Sequence, residues 1–513
     1  MTTALNPKYT PPSRDSLSNE LIPAWYKVEK SNVVFELSGV SKVAITSDGW
    51  TSISQDHYLT VTAHYIIEGK MRQKVLRTKA IYTAQTGQVV AEEIGEILQE
   101  FGIMNKIAAV TVDNAANMDV AIKRLNFIKL GCFAHTLNLG AQSVYSLASV
   151  TKWTAKIRGV VVWMKRSSMG KTVLREKQQL LNLPKHSLIL DVRTRWNSLY
   201  MMLERFIEQY PAIQAASLDQ RLRKPMERDR LARLTEDDFR RAEEFIHLMK
   251  VLYTSTLCVS SEKSPTCGQI LPILRKLEKH FSVEEGDTVL GSSLKQAVWG
   301  NLSKRYQTDG IRTFLEEATA LDPRFKNHVE DSTVWDRIKE KVMVGKLTES
   351  EQPTEQDRGE EDGVTQQQSL TQRENEEEED GEESEEEQEQ PPPCSSKRAK
   401  MTPLEELFAA EDSLKIKNLS TSTMSTQLQT DRELKMYQDM PPTMTSDDPA
   451  AWWWNKRTTY PLLSEVALSY LCVQASSTPS ERVFSTAGDT ICPERSRILP
   501  EKADMLIFLN KNC

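Results

Sequence analysis

Along the first 131 residues the spacing of apolar side chains predicts a sheet. Lys42 to Thr46 encloses a short apolar run, and Leu59, Val61, Ala63, Tyr65 and Ile67 alternate with their neighbours, the period of a strand. Met71 to Tyr82 reads as a third strand. From Gly87 to Phe101 the period lengthens, with Val90, Ile94 and Leu98 on one side of a helix; Ile107 to Val112 is then the continuous apolar run of a buried strand. Phe127 to Gly131 adds a short fifth strand. Helical spacing dominates from about Thr136 to Gln178 and from Arg195 to Phe281, with one more strand expected between them at Ser187 to Asp191. Near the end, Leu463, Val466, Ala467, Tyr470 and Leu471 form a helix stripe, and Met505 to Leu509 another. The pattern predicts an α/β chain, strands first and helices after, with no internal repeat.

Composition interrupts this order once. Thr348 to about Thr402 is built of Glu, Gln, Ser and Pro and cannot bury enough apolar surface to fold, so a disordered acidic insert is expected there. Residues 349–390 carry 19 acidic side chains against Arg358 and Arg373, so the formal net charge of −7 conceals a body of about +10. A basic body suits DNA as partner, because lysine and arginine displace the counterions condensed on phosphates; a solvated surface of mixed charge is the bland alternative. Lys397, Arg398 and Lys400 make a small basic group of nuclear-import type. Seven scattered cysteines argue against a secreted disulfide framework and for a reducing, intracellular compartment. No apolar run reaches bilayer length, so no membrane partner is expected. The expected division is an N-terminal arm and leading helix (1–38), a sheet-based core (39–200), a helical insertion (201–347), the acidic insert (348–402), a linker with a helical segment (403–450) and a C-terminal helical region (451–513).

Two predicted strands run into aspartates, Asp48 in Ile45-Thr-Ser-Asp-Gly-Trp50 and Asp113 in Val110-Thr-Val-Asp-Asn114. Ligands of open α/β sheets gather beyond the carboxyl ends of the strands, so if these strands are neighbours the acids converge. Such a pair suits a divalent ion that takes oxygen ligands and completes its shell with water and substrate phosphate. For either aspartate alone, a turn or a helix cap is the simpler reading.

Five strings go further: Thr46-Ser-Asp-Gly-Trp-Thr-Ser52, Val112-Asp-Asn-Ala-Ala-Asn117, Gly131-Cys-Phe-Ala-His-Thr-Leu-Asn138, Thr194-Arg-Trp-Asn-Ser198 and Ser477-Thr-Pro-Ser-Glu-Arg-Val-Phe-Ser485. In this order they resemble the hAT-superfamily transposases, from about Leu5 to Asn512 with the acidic insert left out, and most closely the BED-finger, transposase-derived branch. The resemblance implies an RNase H-like core interrupted by a large all-helical insertion, with a C-terminal helical hAT dimerisation region. It implies a DDE site in which Asp48, Asp113 and Glu481 are catalytic and hold Mg2+ or Mn2+, the last acid lying 368 positions beyond the second. The family reaction cuts DNA at the transposon end, forms a hairpin on the flanking DNA and joins the excised end to a target. On the residues alone, Glu481 also fits the third helical position of a capping box opened by Thr478 and Pro479, a role compatible with the first.

The same resemblance places His135 near the scissile phosphate and matches Arg195 and Trp196 to the family's Arg-Trp motif, with Trp196 stacking on an extruded base. By themselves Cys132 and His135 read as a buried thiol and a satisfied histidine, since C-x-x-H supplies half a zinc shell; Trp196 at the start of an amphipathic helix is more often core. Lys165 and Arg166 belong to a basic run with Lys152, Lys156, Arg158, Lys171, Arg175 and Lys177, equally a phosphate-binding face or the wet side of a helix. Trp453, Leu463, Tyr470, Phe484 and Leu506 are the expected dimerisation residues, for a homodimer or a hetero-oligomer with hAT relatives, although the chain's own core could equally take them. The branch normally opens with a zinc-binding BED finger; this sequence has neither C-x-x-C nor H-x-x-x-H, so no structural zinc is expected in it and site-specific DNA reading is weakened. The preferred reading is a domesticated nuclear protein, related to chromatin or transcription, that dimerises and binds DNA. An active DDE transposase is the alternative, and a dimerisation partner that titrates full-length relatives is the third.

Overall fold

The computed structural model describes residues 11–193, 195, 197–229, 234–306, 309–350, 425–492 and 498–513. A leading helix α1 (Ile22–Ser38) precedes β1 (Val43–Thr51), β2 (His57–Ile67), β3 (Lys70–Ile81), α2 (Gly87–Glu100), β4 (Ile107–Val112), α3 (Ala116–Arg124) and β5 (Lys129–Gly131). The strands form one sheet in the order β3-β2-β1-β4-β5. Its first three strands are an antiparallel meander, and β4 and β5 run parallel to β1. The tight turn from β2 to β3 uses Glu68 and Gly69 at φ of 51° and 71°, the left-handed pair that lets a two-residue hairpin follow the twist of its strands.

One face of the sheet is covered by α1, α2 and α3, where Val33, Leu37, Ile94, Leu98 and Ile122 bury Ile45, Val61, Leu76 and Val110. Burial of both sheet faces explains why β4 reads as a continuous apolar run. The remaining helices are α4 (Phe133–Gln142), α5 (Ala148–Arg166), α6 (Ser168–Leu180), α7 (Ser198–Ser217), α8 (Gln220–Arg228), α9 (Glu236–Val259), α10 (Ile270–Phe281), α11 (Val289–Leu302), α12 (Asp309–Ala320), α13 (Val334–Ser350), α14 (Thr426–Asp439), α15 (Pro449–Lys456), α16 (Pro461–Leu471), α17 (Thr478–Thr490) and α18 (Pro500–Asn512). Residues up to 342 and from 430 onward form one compact unit, and residues 343–429 a second; of the second, only 343–350 and 425–429 are described. The expected acidic insert lies outside the described residues.

α18 also closes the open edge of β3. Its Asn512 side chain accepts from Val75 N at 3.0 Å and donates to Val75 O at 2.8 Å, while Asp504 accepts from Thr78 N and from Arg77 Nε, each at 2.6 Å. Those backbone groups point away from the sheet, and side chains on a packed helix satisfy them where another strand would otherwise dock.

Two expectations need correction. The strand expected at Ser187 to Asp191 does not form. Its carbonyls are taken by side chains, Lys165 Nζ on Leu188 O at 2.9 Å and Arg205 on Ser187 O at 3.1 Å, and Arg158 clamps Asp191 through two bonds of 2.7 and 2.6 Å. Backbone groups satisfied this way leave no ladder to extend. The boundary placed between residues 200 and 201 falls inside α7, because helices begin directly after β5.

The residues expected to dimerise are engaged within the chain to different degrees. Trp453 is fully buried in its own chain, donating from Nε1 to Leu321 O at 2.8 Å; Leu463 is buried in the same cluster; and Tyr470 donates to Glu317 Oε2 at 2.8 Å. None of these three offers a free apolar face. Phe484 is half-buried against Trp50 at a ring distance of 6.0 Å, and Leu506 is half-buried on α18.

Candidate active site

β1 and β4 are neighbours, and their register pairs Thr46 with Thr111. Two residues further along each chain stand Asp48 and Asp113, so parallel pairing brings the two aspartates to the same end of the sheet, about 5 Å apart in backbone spacing. Asp48 lies inside β1 rather than after it, because the hairpin partner β2 goes on pairing through Thr51 with His57.

Glu481 reaches this end through a chain of specific contacts. Residues 473–477 cross the carboxyl ends of the strands: Thr111 Oγ1 donates to Gln474 O at 2.7 Å, Phe133 N to Ala475 O at 2.8 Å, and Ser477 N to Cys132 Sγ at 3.3 Å. α17 then starts at Thr478, and Ser480 on its first turn drops between the strands. Its Oγ lies 2.8 Å from Thr46 Oγ1 and 3.4 Å from Thr62 Oγ1, and Thr46 Oγ1 is 2.9 Å from His64 Nε2. All four side chains are buried. Trp50 and Phe484 stack outside this ladder and hold the helix down. The capping box expected for Glu481 does not form: the helix begins one residue early, Ser477 is its cap residue and makes no side-chain cap bond, so the glutamate is not engaged there.

Asp48 and Glu481 both feel the charge of neighbouring acids. Asp48 is pushed up to about 8, first by burial, then by the charge of Glu481, with a smaller push from Asp113; the Gly49 N–H, 2.7 Å from Oδ1, works the other way. Glu481 is pushed up to about 7 by burial and by Asp113, against Arg482. Ser477 Oγ, fully buried, meets no partner within ordinary hydrogen-bond limits, yet lies close enough to Asp48 to favour its ionised form. Among the described residues no three His, Cys, Asp or Glu side chains close into a ready-made metal cage. The donor set still fits Mg2+ or Mn2+, because these ions use oxygen ligands and need only a few carboxylates beside water and phosphate.

His64 provides a separate pH signal. Burial lowers it to about 3, so the folded protein holds it neutral, while the unfolded chain protonates it near its ordinary 6.5. The unfolded state therefore binds the extra proton below pH 6.5, and stability falls with acid. Comparing urea midpoints of the parent and His64→Gln at pH 7 and pH 5 should show the parent losing about 2 kcal/mol more than the variant; parallel losses would refute a neutral buried imidazole.

Of the residues expected near DNA, His135 is brought to the acids. It sits on the first turn of α4, half-buried, and is held below its usual value by burial, with Asp113 pulling it up and Arg305 pushing it down; it is neutral at pH 7 and suited to hydrogen bonding rather than to ion pairing. Cys132 caps that helix, its Sγ accepting from His135 N at 3.4 Å, and burial pushes the thiol up to about 11, the wrong direction for a metal-binding thiolate. Arg195 is exposed on a small cleft shared with Asn138 and Tyr145. Trp196 lies outside the described residues. Lys165 is engaged by Leu188 O, and Lys156, Arg158 and Lys177 are held by Asp238, Asp191 and Asp219, so half of the expected basic face is structural; Arg166 remains exposed at the end of α5. Sequence reasoning missed Ser480, whose role needs β1 beside α17, and Arg305, which arrives from the helical insertion without any local signal.

Three family models match the chain. The model of the "ZBED1 RNase-like domain" matches residues 46–130, that of the "ZBED1 RNase-like helical domain" matches 130–247, and that of the "hAT family C-terminal dimerisation region" matches 433–513. The chain belongs to the hAT transposase-derived family. Among its hAT relatives, zinc finger BED domain-containing protein 4 of Homo sapiens is 25% identical over 99% of this chain and 41% of its own length. A putative AC transposase of Zea mays is 23% identical over 94% of this chain and 58% of its own. The zinc finger BED domain-containing protein RICESLEEPER 2 of Oryza sativa is 24% identical over 63% of this chain and 46% of its own. The chain thus spans about half the length of these hAT relatives. No described helix is long and apolar enough to cross a membrane.

Proposed function

We propose that this hAT-family chain acts on DNA in the nucleus as a self-associating protein whose Asp48, Asp113 and Glu481 retain metal-dependent strand cleavage. The observation that carries this reading is the seating of Ser480 between β1 and β2, which delivers Glu481 to two aspartates already aligned by strand register. Asp48 and Asp113 offer carboxylate oxygens from fixed strand ends, and Glu481 offers a third from the first turn of α17. A divalent ion bound there supplies the Lewis acidity that activates a water or a 3′-hydroxyl at a phosphodiester and neutralises the leaving oxygen. Neutral His135 donates a hydrogen bond to a phosphate oxygen, and the buried hydroxyl ladder keeps the acids from drifting apart. Self-association rests on the matched dimerisation region.

A second reading, a domesticated nuclear DNA-binding protein that does not cut, draws on the body of about +10 outside residues 349–390, which would bind phosphates whether or not the acids hold a metal. Incubating the full chain with labelled duplex DNA and Mg2+ or Mn2+ separates the two. Nicks or hairpins from the parent, absent from Asp113→Ala and Glu481→Ala, are expected; DNA retention without any cleavage by the parent would favour the second reading, and no retention at all would remove both.

A further inference from the structure

Just past the end of α11 stand two cations, Lys304 and Arg305, the second close enough to His135 for its charge to be felt there. Tyr306 is the anchor. It adopts a left-handed backbone at φ 61°, unusual for a bulky residue, and its hydroxyl donates to Gly131 O at 3.0 Å and meets Thr136 Oγ1 at 3.4 Å. Its ring packs edge-on against Phe133 at 5.6 Å. Gly131 pairs with Val112, the residue before Asp113, and Thr136 follows His135. α11 itself lies close against α4, since a Cβ on Gly140 would come within 2.7 Å of Leu302. The backbone around Arg305 is thus held from both sides, its Nε donates to Asn301 Oδ1 at 3.4 Å, and its charge is felt at His135.

Next to it opens a groove of about 570 Å³ lined by Gln296, Ala297, Gly300, Asn301, Lys304 and Arg305. It presents two cations and two amides, no carboxylate, and no apolar side chain larger than that of Ala297. Guanidinium, ammonium and amide groups are the donors that position a phosphate backbone without reading sequence. A peptide would need large apolar anchors, and no large apolar side chain lines this groove. We propose that Lys304 and Arg305 form a phosphate-binding subsite of the helical insertion, which lays the DNA backbone along α11 and into the acid centre. The proposal rests on the DNA reading above and adds where the strand enters.

The test uses the full chain, a short fluorescent duplex, EDTA to suppress cleavage, and anisotropy at several KCl concentrations. Lys304→Gln, Arg305→Gln and the double variant should each bind more weakly. The dependence of log K on log salt should flatten by about 0.9 for each phosphate contact removed, hence about 1.8 for the double variant. Lys304 is exposed, so its single variant reads the contact free of any folding defect, and thermal midpoints check the others. A double variant with the parent's affinity and slope overturns the subsite while leaving the DNA reading intact. Weakened binding of polyglutamate with unchanged duplex binding overturns it in favour of an acidic protein partner. A parent chain that does not bind duplex at low salt removes the DNA reading and the subsite with it.

Discussion

Asp48→Asn is expected to abolish metal-dependent DNA cleavage, by on the order of 10³-fold or more, and also to raise the stability of the metal-free protein. The two effects have one cause. Asp48 is a half-buried carboxylate facing Glu481 and Asp113, so its charge is unwelcome in the folded protein unless a cation is present. Because both Asp48 and Glu481 are raised, the unfolded chain releases these protons from about pH 4 upward while the folded chain keeps them to about 8 and 7. Their contribution is thus most favourable in acid, is lost as pH rises, and is lost entirely above about pH 8. Asparagine keeps an oxygen for the Gly49 N–H and has no charge to bury. At pH 8 the gain should be on the order of 2 kcal/mol, allowing for the water that still reaches the site, and it should shrink towards zero near pH 4. Mg2+ should then raise the melting temperature of the parent more than that of the variant. A variant that still cuts, or that melts below the parent at pH 8, would show that these acids do not form one charged centre.

Trp453→Ala is expected to lower folding stability by about 3–5 kcal/mol, equally at all protein concentrations. The indole is enclosed by Tyr437, Trp452 and Tyr460 at ring distances of 4.8, 4.9 and 5.9 Å, and its N–H serves a buried carbonyl. Truncation leaves a large cavity and an unsatisfied Leu321 O. Urea midpoints at two well-separated concentrations decide the matter. A loss that grows on dilution, or a variant that becomes monomeric with its monomer stability unchanged, would return Trp453 to a subunit interface.

The matched dimerisation region does double duty. Its helices complete the core of their own subunit, with Trp453 in the helical layer, Asp504 and Asn512 on the sheet edge, and Glu481 at the acid centre. Sequence pattern does not separate packing within the subunit from packing on a partner, since an apolar stripe has the same period whatever it faces.

Strand periodicity by itself determined the five strands and the positions of Asp48 and Asp113, because alternation and continuous burial are local consequences of a pleated backbone. The five motif strings determined the family and named Glu481. Tertiary structure alone decided that β1 and β4 are neighbours in register, that Ser480 locks α17 onto β1, that Ser187 to Asp191 is held by side chains instead of a sheet, and that Arg305 arrives beside His135. Each depends on groups far apart along the chain meeting in space: Thr46 and Ser480 are separated by 434 positions, and no local period encodes a contact at that distance.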